Sequence, residues 1–217
     1  MHFCPQCTKI LTIGRHGNYF SFLGLPRRLT LDPSLLEQRF RALSRQFHPD
    51  FFYNATPAER RASLERSSYL NDAYRTLKDP VSRIAYLLDV EGVFTATDRA
   101  DRGASKLVPA ALLEEVFSLN EELDEVRSLR ASGAPAEAWQ SRLRHAAAPI
   151  DAKRAEHEHQ LEELSARWDA VVDRPAADAD RQSVLAALRE RILERHYITN
   201  LLATIAQEME ERPGFEA

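Results

Sequence analysis

The sequence predicts an all-α protein: an antiparallel helical hairpin with short flanking helices, followed by a C-terminal antiparallel three-helix bundle. Three observations carry this. Glycine is scarce, at 7 of 217 residues, and β-branched runs are short, whereas Ala, Leu, Glu and Arg abound. Apolar residues recur at helical spacing: Leu36, Phe40, Leu43 and Phe47 make one stripe, and Leu112, Val116, Leu119, Leu123 and Val126 follow a 4-3-4-3 seam. Cap-and-proline pairs mark helix starts at Asp32-Pro33, Thr56-Pro57 and Asp79-Pro80.

Composition narrows the function classes. Apolar residues at 44% and charged residues at 29% suit a soluble globular protein, and a net charge of −4 gives no global bias toward nucleic acid. No stretch approaches the roughly 18 apolar residues of a membrane span. The first residues have neither the layout of a signal peptide nor that of a transit peptide. With only 2 cysteines a disulfide framework is excluded, and a reducing cytoplasm is the expected compartment.

Residues 1–16 precede the first helical pattern. Cys4 and Cys7 have the spacing of half a zinc site, and a structural zinc needs four ligands. His2 and His16 could complete the set, or two chains could share an ion; the plain alternative is a tail with two exposed thiols. A redox role lacks the strand–helix context it needs.

Residues 17–91 form the first domain. Asn18-Tyr-Phe-Ser-Phe-Leu-Gly-Leu-Pro26 reads as a short apolar helix ended by Gly24, with Tyr19, Phe22 and Leu23 turned inward. The next helix is capped by Asp32, stapled by Leu31 and Leu36, and stops near His48, because Pro49 drives its predecessor out of the helical region. Gln38, Arg41 and Arg45 project opposite its apolar stripe. Asp50 then stands in an exposed loop, a carboxylate for a partner's arginine beside cations for a partner's carboxylates. Some of the aromatic rings of Phe51-Phe-Tyr53 are expected to anchor this loop to the core. A capping box, Thr56-Pro-Ala-Glu59, opens a helix running to about Lys78 with Leu70, Ala73, Tyr74 and Leu77 on one face. Asp79-Pro80 caps a shorter one carrying Val81, Ile84, Ala85, Leu87 and Leu88.

Residues 92–107, with no stripe and two glycines, read as a linker, and 108–217 as the bundle. Beside the seam of the first bundle helix, Leu113 and Phe117 border the core and an acidic strip of Glu114, Glu121 and Glu125 continues outward. On an isolated helix that is an ordinary solvated edge. Ser132-Gly-Ala-Pro135 is a turn. The second bundle helix runs toward Arg174 with a break or kink at Pro149. Its His157 and His159, two apart, point to different sides, so solvent exposure is expected and chelation is not. The last helix, from about Gln182 to Glu211, carries Leu185, Leu188, Ile192, Tyr197, Ile198, Leu201, Leu202, Ile205 and Met209.

His48-Pro49-Asp50 alone is an ordinary turn. Its context, with Phe47 before it, a basic amphipathic helix leading in and a second amphipathic helix following, resembles the J-domain, which stimulates ATP hydrolysis by DnaK-class chaperones. A J-domain followed directly by a three-helix bundle resembles the HscB family of iron–sulfur co-chaperones. The matching stretches are Asn18–Pro26, Leu43-Ser-Arg-Gln-Phe-His-Pro-Asp50, Tyr86-Leu-Leu88 and Leu119-Asn-Glu-Glu-Leu-Asp-Glu125. The resemblance implies an HscA-type or other DnaK-class partner at His48, Pro49, Asp50, Arg39, Arg41 and Arg45. It also implies an IscU-type iron–sulfur scaffold at Leu113, Phe117, Glu121, Glu125 and Tyr197. Glu114 and Ser118 depart from the family pattern, which has an apolar and an acidic residue there. Eukaryotic relatives carry two C-x-x-C pairs where this chain has Cys4 and Cys7 alone.

The reading is therefore a co-chaperone rather than an enzyme, since no catalytic constellation or phosphate loop is legible. It assists iron–sulfur cluster assembly and needs no cofactor of its own beyond a possible N-terminal zinc. The alternative is a generalist J-protein that delivers unfolded polypeptide, and a third reading is a zinc- or redox-sensing adaptor built on Cys4 and Cys7. Neither nucleic acid nor membrane is among the expected partners.

Overall fold

Helix starts fall where the sequence supplies caps. The computed structural model describes residues 2–4, 6, 9–11, 18–94, 112–174 and 178–210. Asn18 and Ser21 close a reciprocal capping box over α1 (Tyr19–Phe22), and Gly24 follows at φ +67°, where a side chain would be strained. Asp32 accepts from the Ser34 amide at 2.8 Å to start α2 (Pro33–Phe47). Thr56 and Glu59 cap α3 (Pro57–Lys78), and Asp79 caps α4 (Pro80–Val90). Each such cap stabilises its helix by about 1 kcal/mol. The bundle helices are α5 (Leu113–Ala131), α6 (Ala136–Val171) and α7 (Asp178–Glu210). No helix among the described residues is long and apolar enough to cross a membrane.

The chain divides into two compact units, Met1–Val93 with Ser165–Leu185, and Phe94–Leu164 with Ala186–Ala217. The inclusion of Ser165–Leu185 in the first unit differs from a boundary drawn by sequence order. The backbone amides of the loop before α2 need acceptors, and α6 supplies them. Asp169 accepts from the amides of Leu29 and Thr30 at 2.6 and 2.8 Å, and the Trp168 indole donates to the Arg27 carbonyl at 2.9 Å. In the first unit Phe20, Leu23, Leu36, Phe47, Leu70, Ala73, Leu77, Leu87 and Leu88 are buried. Phe20, rather than Tyr19 or Phe22, is the fully enclosed ring of α1.

The described residues of the N-terminal segment pair with one another and with α3. Phe3 pairs antiparallel with Ile10, and the amides of Cys4 and Leu11 donate to the carbonyls of Lys9 and His2. Arg66, buried in α3, donates to the Leu11 carbonyl at 2.6 Å and lies 2.7 Å from His2 Nδ1. The His2 ring meets Phe22 and Phe47 edge-on. Burial, then Arg66, lowers its pKa below the ordinary imidazole value. His2 thus meets α3 through Arg66 and the aromatic core through Phe22 and Phe47. Cys7 and His16 lie outside the described residues.

In the second unit Leu112, Leu119, Leu123 and Val126 pack with Trp139, Leu143, Ala146, Ile150, Ile198 and Ile205. Helix α6 passes through Pro149 without a break; the proline is exposed, so its ring stands clear of the core. His157 is 3% exposed, contrary to the sequence expectation. Its Nε2 lies 2.6 Å from the Arg191 carbonyl of α7, while Nδ1 is buried without a hydrogen-bond partner among the described residues.

Candidate functional site

Two surfaces, one in each unit, hold the residues singled out above. The first is the end of α2. His48 leaves the helix at φ −57° and ψ 127°, the extended geometry that a following proline demands. Pro49–Phe52 then forms a 3-10 turn, with the Phe51 amide donating to the His48 carbonyl at 3.0 Å. The Asp50 side chain is 85% exposed. His48 Nδ1 lies 3.4 Å from both the Asp50 amide nitrogen and its carboxylate. As a neutral acceptor it takes the amide proton; protonated, it pairs with the carboxylate.

Two serines that sequence reasoning passed over hold this loop. Ser63 and Ser67, one turn apart on α3, donate from Oγ to the Phe47 carbonyl at 2.6 and 2.9 Å. That carbonyl ends α2, and with Phe47 fully buried it has no water to turn to. The two hydroxyls therefore fix where the His-Pro-Asp turn leaves the hairpin. The available signal was a serine pair at i, i+4 beside the apolar stripe of α3.

Arg41 and Arg45 share one flank of α2, both exposed, with Arg41 tied to Glu37 at 2.6 Å and the Arg45 Nε donating to the Arg41 carbonyl at 3.3 Å. Arg45 makes no ion pair among the described residues, and its charge stands beside Asp50. Ser44, Arg45, His48, Asp50 and Phe51 line one concavity of about 350 Å³. Arg39 is exposed too, but at about 100° per residue it falls on the other flank and does not join this group.

The second surface lies on α5. Leu113 is 42% and Phe117 67% exposed, while their neighbours Leu112 and Leu119 are buried. Glu114, Ser118, Glu121 and Glu125 are exposed as well. Spacing of four residues places Leu113, Phe117, Glu121 and Glu125 along one slowly turning row. Glu122 binds Arg142 of α6 at 2.8 Å, and Glu125 lies 3.9 Å from the same guanidinium. Glu121 makes no ion pair among the described residues. Tyr197 of α7 is half-buried and packs against the cluster that holds Leu112 and Ile198, so only part of its ring is open to a partner.

No family model matches the chain. Among curated proteins, the co-chaperone protein HscB homologues of two Vibrio cholerae strains are each 35% identical over 145 residues, 65% of this chain and 82% of theirs. Two solved structures share the fold. The human co-chaperone HscB superposes with a TM-score of 0.67 at 26% identity, over 95% of this chain and 89% of that one. HscB from Vibrio cholerae gives 0.58 at 29% identity, over 88% and 96%. With an N-terminal J-domain, a C-terminal helical bundle and this identity across most of a relative's length, the chain belongs to the HscB co-chaperone family.

Proposed function

We propose that this chain couples two proteins: its bundle holds an iron–sulfur cluster scaffold, and its J-domain stimulates ATP hydrolysis by a DnaK- or HscA-class chaperone. The protein itself catalyses nothing in this reading. It presents one partner to another in the cytoplasm, and the phosphoryl chemistry belongs to the chaperone. The observation that carries the reading is the pinned, exposed Asp50 beside Arg45, at the end of a helix whose last carbonyl is held by Ser63 and Ser67. An exposed carboxylate on a held turn, flanked by a cation, suits a bidentate arginine on a partner. The exposed Leu113–Phe117 row supports the scaffold half. Two large apolar side chains left open beside a well-packed seam, and followed by carboxylates, have the layout of a protein-binding surface.

The test is a chaperone ATPase assay with and without scaffold. Asp50→Ala is expected to abolish stimulation while leaving helicity and melting temperature nearly unchanged, because the carboxylate is exposed. Full stimulation by that variant would remove the J-domain half of the reading. Stimulation that never responds to scaffold would remove the other.

A further inference from the structure

The aromatic loop after Asp50 turns one ring toward the core and leaves two in solvent. Of the three rings, only Phe52 turns partly inward; Phe51 is 73% and Tyr53 77% exposed. The 3-10 turn explains this, since at three residues per turn successive side chains diverge by about 120° and one wall of core accepts one of them. Nor is the loop left unbraced. The Tyr53 amide donates to the Asp50 carbonyl at 3.4 Å, the Ala55 amide to the Phe52 carbonyl at 3.0 Å, and Arg60 of α3 to the Tyr53 carbonyl at 3.3 Å. The Phe51 ring stands edge-on to His48, with centroids 6.2 Å apart. A braced, solvent-facing phenylalanine forgoes hydrophobic stabilisation within its own chain. It also completes the concavity that holds Arg45, His48 and Asp50, so an apolar wall, a cation and an anion meet in one hollow.

We infer that Phe51, with Tyr53 next to it on the loop, is an apolar docking element for the same ATPase chaperone that reads Asp50. This rests on the J-domain reading above. The occupant follows from continuity: Phe51 shares the turn of Asp50, so a surface that brings an arginine to that carboxylate also meets the ring. The partner surface it fits is a shallow apolar cleft with an arginine facing Asp50 and carboxylates facing Arg41 and Arg45. An aromatic ringed by charge is the arrangement in which a few side chains carry most of the affinity. Phe51 and Tyr53 supply affinity, whereas Asp50 supplies the signal for hydrolysis.

The test titrates the full chain against a purified DnaK-class chaperone and reads ATP turnover. A Phe51→Ser, Tyr53→Ser double variant is expected to need about tenfold more protein, or above, for half-maximal stimulation. Its rate at saturation stays near wild type. The shift persists at high salt, unlike that of Arg45→Glu, because apolar contact is not screened. A Phe51→Leu, Tyr53→Phe variant, which keeps the apolar area, restores most of the affinity. A wild-type titration curve for the double serine variant overturns the inference, as does a defect confined to scaffold binding or to self-association. A wild-type chain that gives no Asp50-dependent stimulation overturns the underlying reading along with it.

Discussion

Replacing Leu113 and Phe117 by alanine separates interface from core. An enclosed aromatic side chain buries about 200 Å², so with Phe117 at 67% exposure roughly 130 Å² of it is open to a partner. At about 25 cal/mol per Å², covering that area is worth about 3 kcal/mol. Leu113, at 42% exposure, adds about 1 kcal/mol on the same scale. Area rarely converts in full, because binding also orders side chains and removes rigid-body freedom. The expected loss of scaffold affinity is therefore about a hundredfold, which corresponds to about 2.8 kcal/mol. The buried third of Phe117 limits the folding penalty of that truncation to about 2 kcal/mol, an upper figure.

Tyr197 is left intact in this variant. It is half-buried against the core cluster, so its truncation would open a cavity and mix folding with binding. The measurements are a calorimetric titration against purified scaffold and a thermal melt of the variant alone. Unchanged affinity, or a destabilisation beyond about 4 kcal/mol, would show that the stripe serves the bundle and not a partner.

Further predictions test the supports of each unit. Removing the Ser63 and Ser67 hydroxyls together, by alanine, leaves the buried Phe47 carbonyl without donors and is expected to destabilise the protein by about 1–3 kcal/mol. Chaperone stimulation should fall at temperatures where the fold still persists, as ATPase titration beside circular dichroism would reveal. The pH profile follows from His2 and His157, both held below the ordinary value of 6.5, chiefly by burial. Their contribution is complete above pH 6.5 and is lost as the pH falls through their folded-state values, since the unfolded chain takes the protons first. Arg191, Arg195 and Glu158 face His157; Glu194, raised by burial, acts with the opposite sign and regains stability on acidification. A His2→Asn, His157→Gln variant should show a flatter melting temperature below neutral pH; a profile superimposable on wild type would refute the assignment.

The helices were legible because their signals are local. Asp32, Thr56 and Asp79 cap groups two or three residues away, and the stripes of α2 and α5 are contained in single helices. What escaped reading depends on partners distant in sequence. Arg66 meets His2 across 64 residues, and Asp169 meets Leu29 across 140. A buried arginine looks like a solvated one until its acceptors are known. His157 is the instructive miss: Trp139, Leu143, Ala146, Ile150, Leu161, Leu164 and Trp168 are spaced in fours, threes and one longer interval, and His157 falls inside that interval on the same stripe. The charged run around it concealed a core position. At the α5 site the row itself could be read from spacing, whereas the partial burial of Tyr197 and the Glu122–Arg142 pair could not.

The two surfaces differ in charge, and that difference has a physical consequence. The J-domain offers Arg41 and Arg45 beside Asp50, with Glu37 paired to Arg41, while the α5 row ends in Glu121 and Glu125 with Glu114 nearby. If the proposed partners bind as above, a chaperone surface with carboxylates for Arg41 and Arg45 would be repelled by the α5 strip, and a scaffold surface with cations for Glu121 by the flank of α2. Apolar side chains are prominent at both sites, Phe51 at one and Phe117 at the other, and hydrophobic contact alone would not tell the partners apart. On the proposed reading, discrimination therefore falls to the surrounding charges and affinity to the rings. Glu125, only 3.9 Å from Arg142, is partly compensated within the chain, so reversal of Glu121 to lysine should let a carboxylate-bearing partner bind α5 more readily than reversal of Glu125, as titration of the two variants against the chaperone would show.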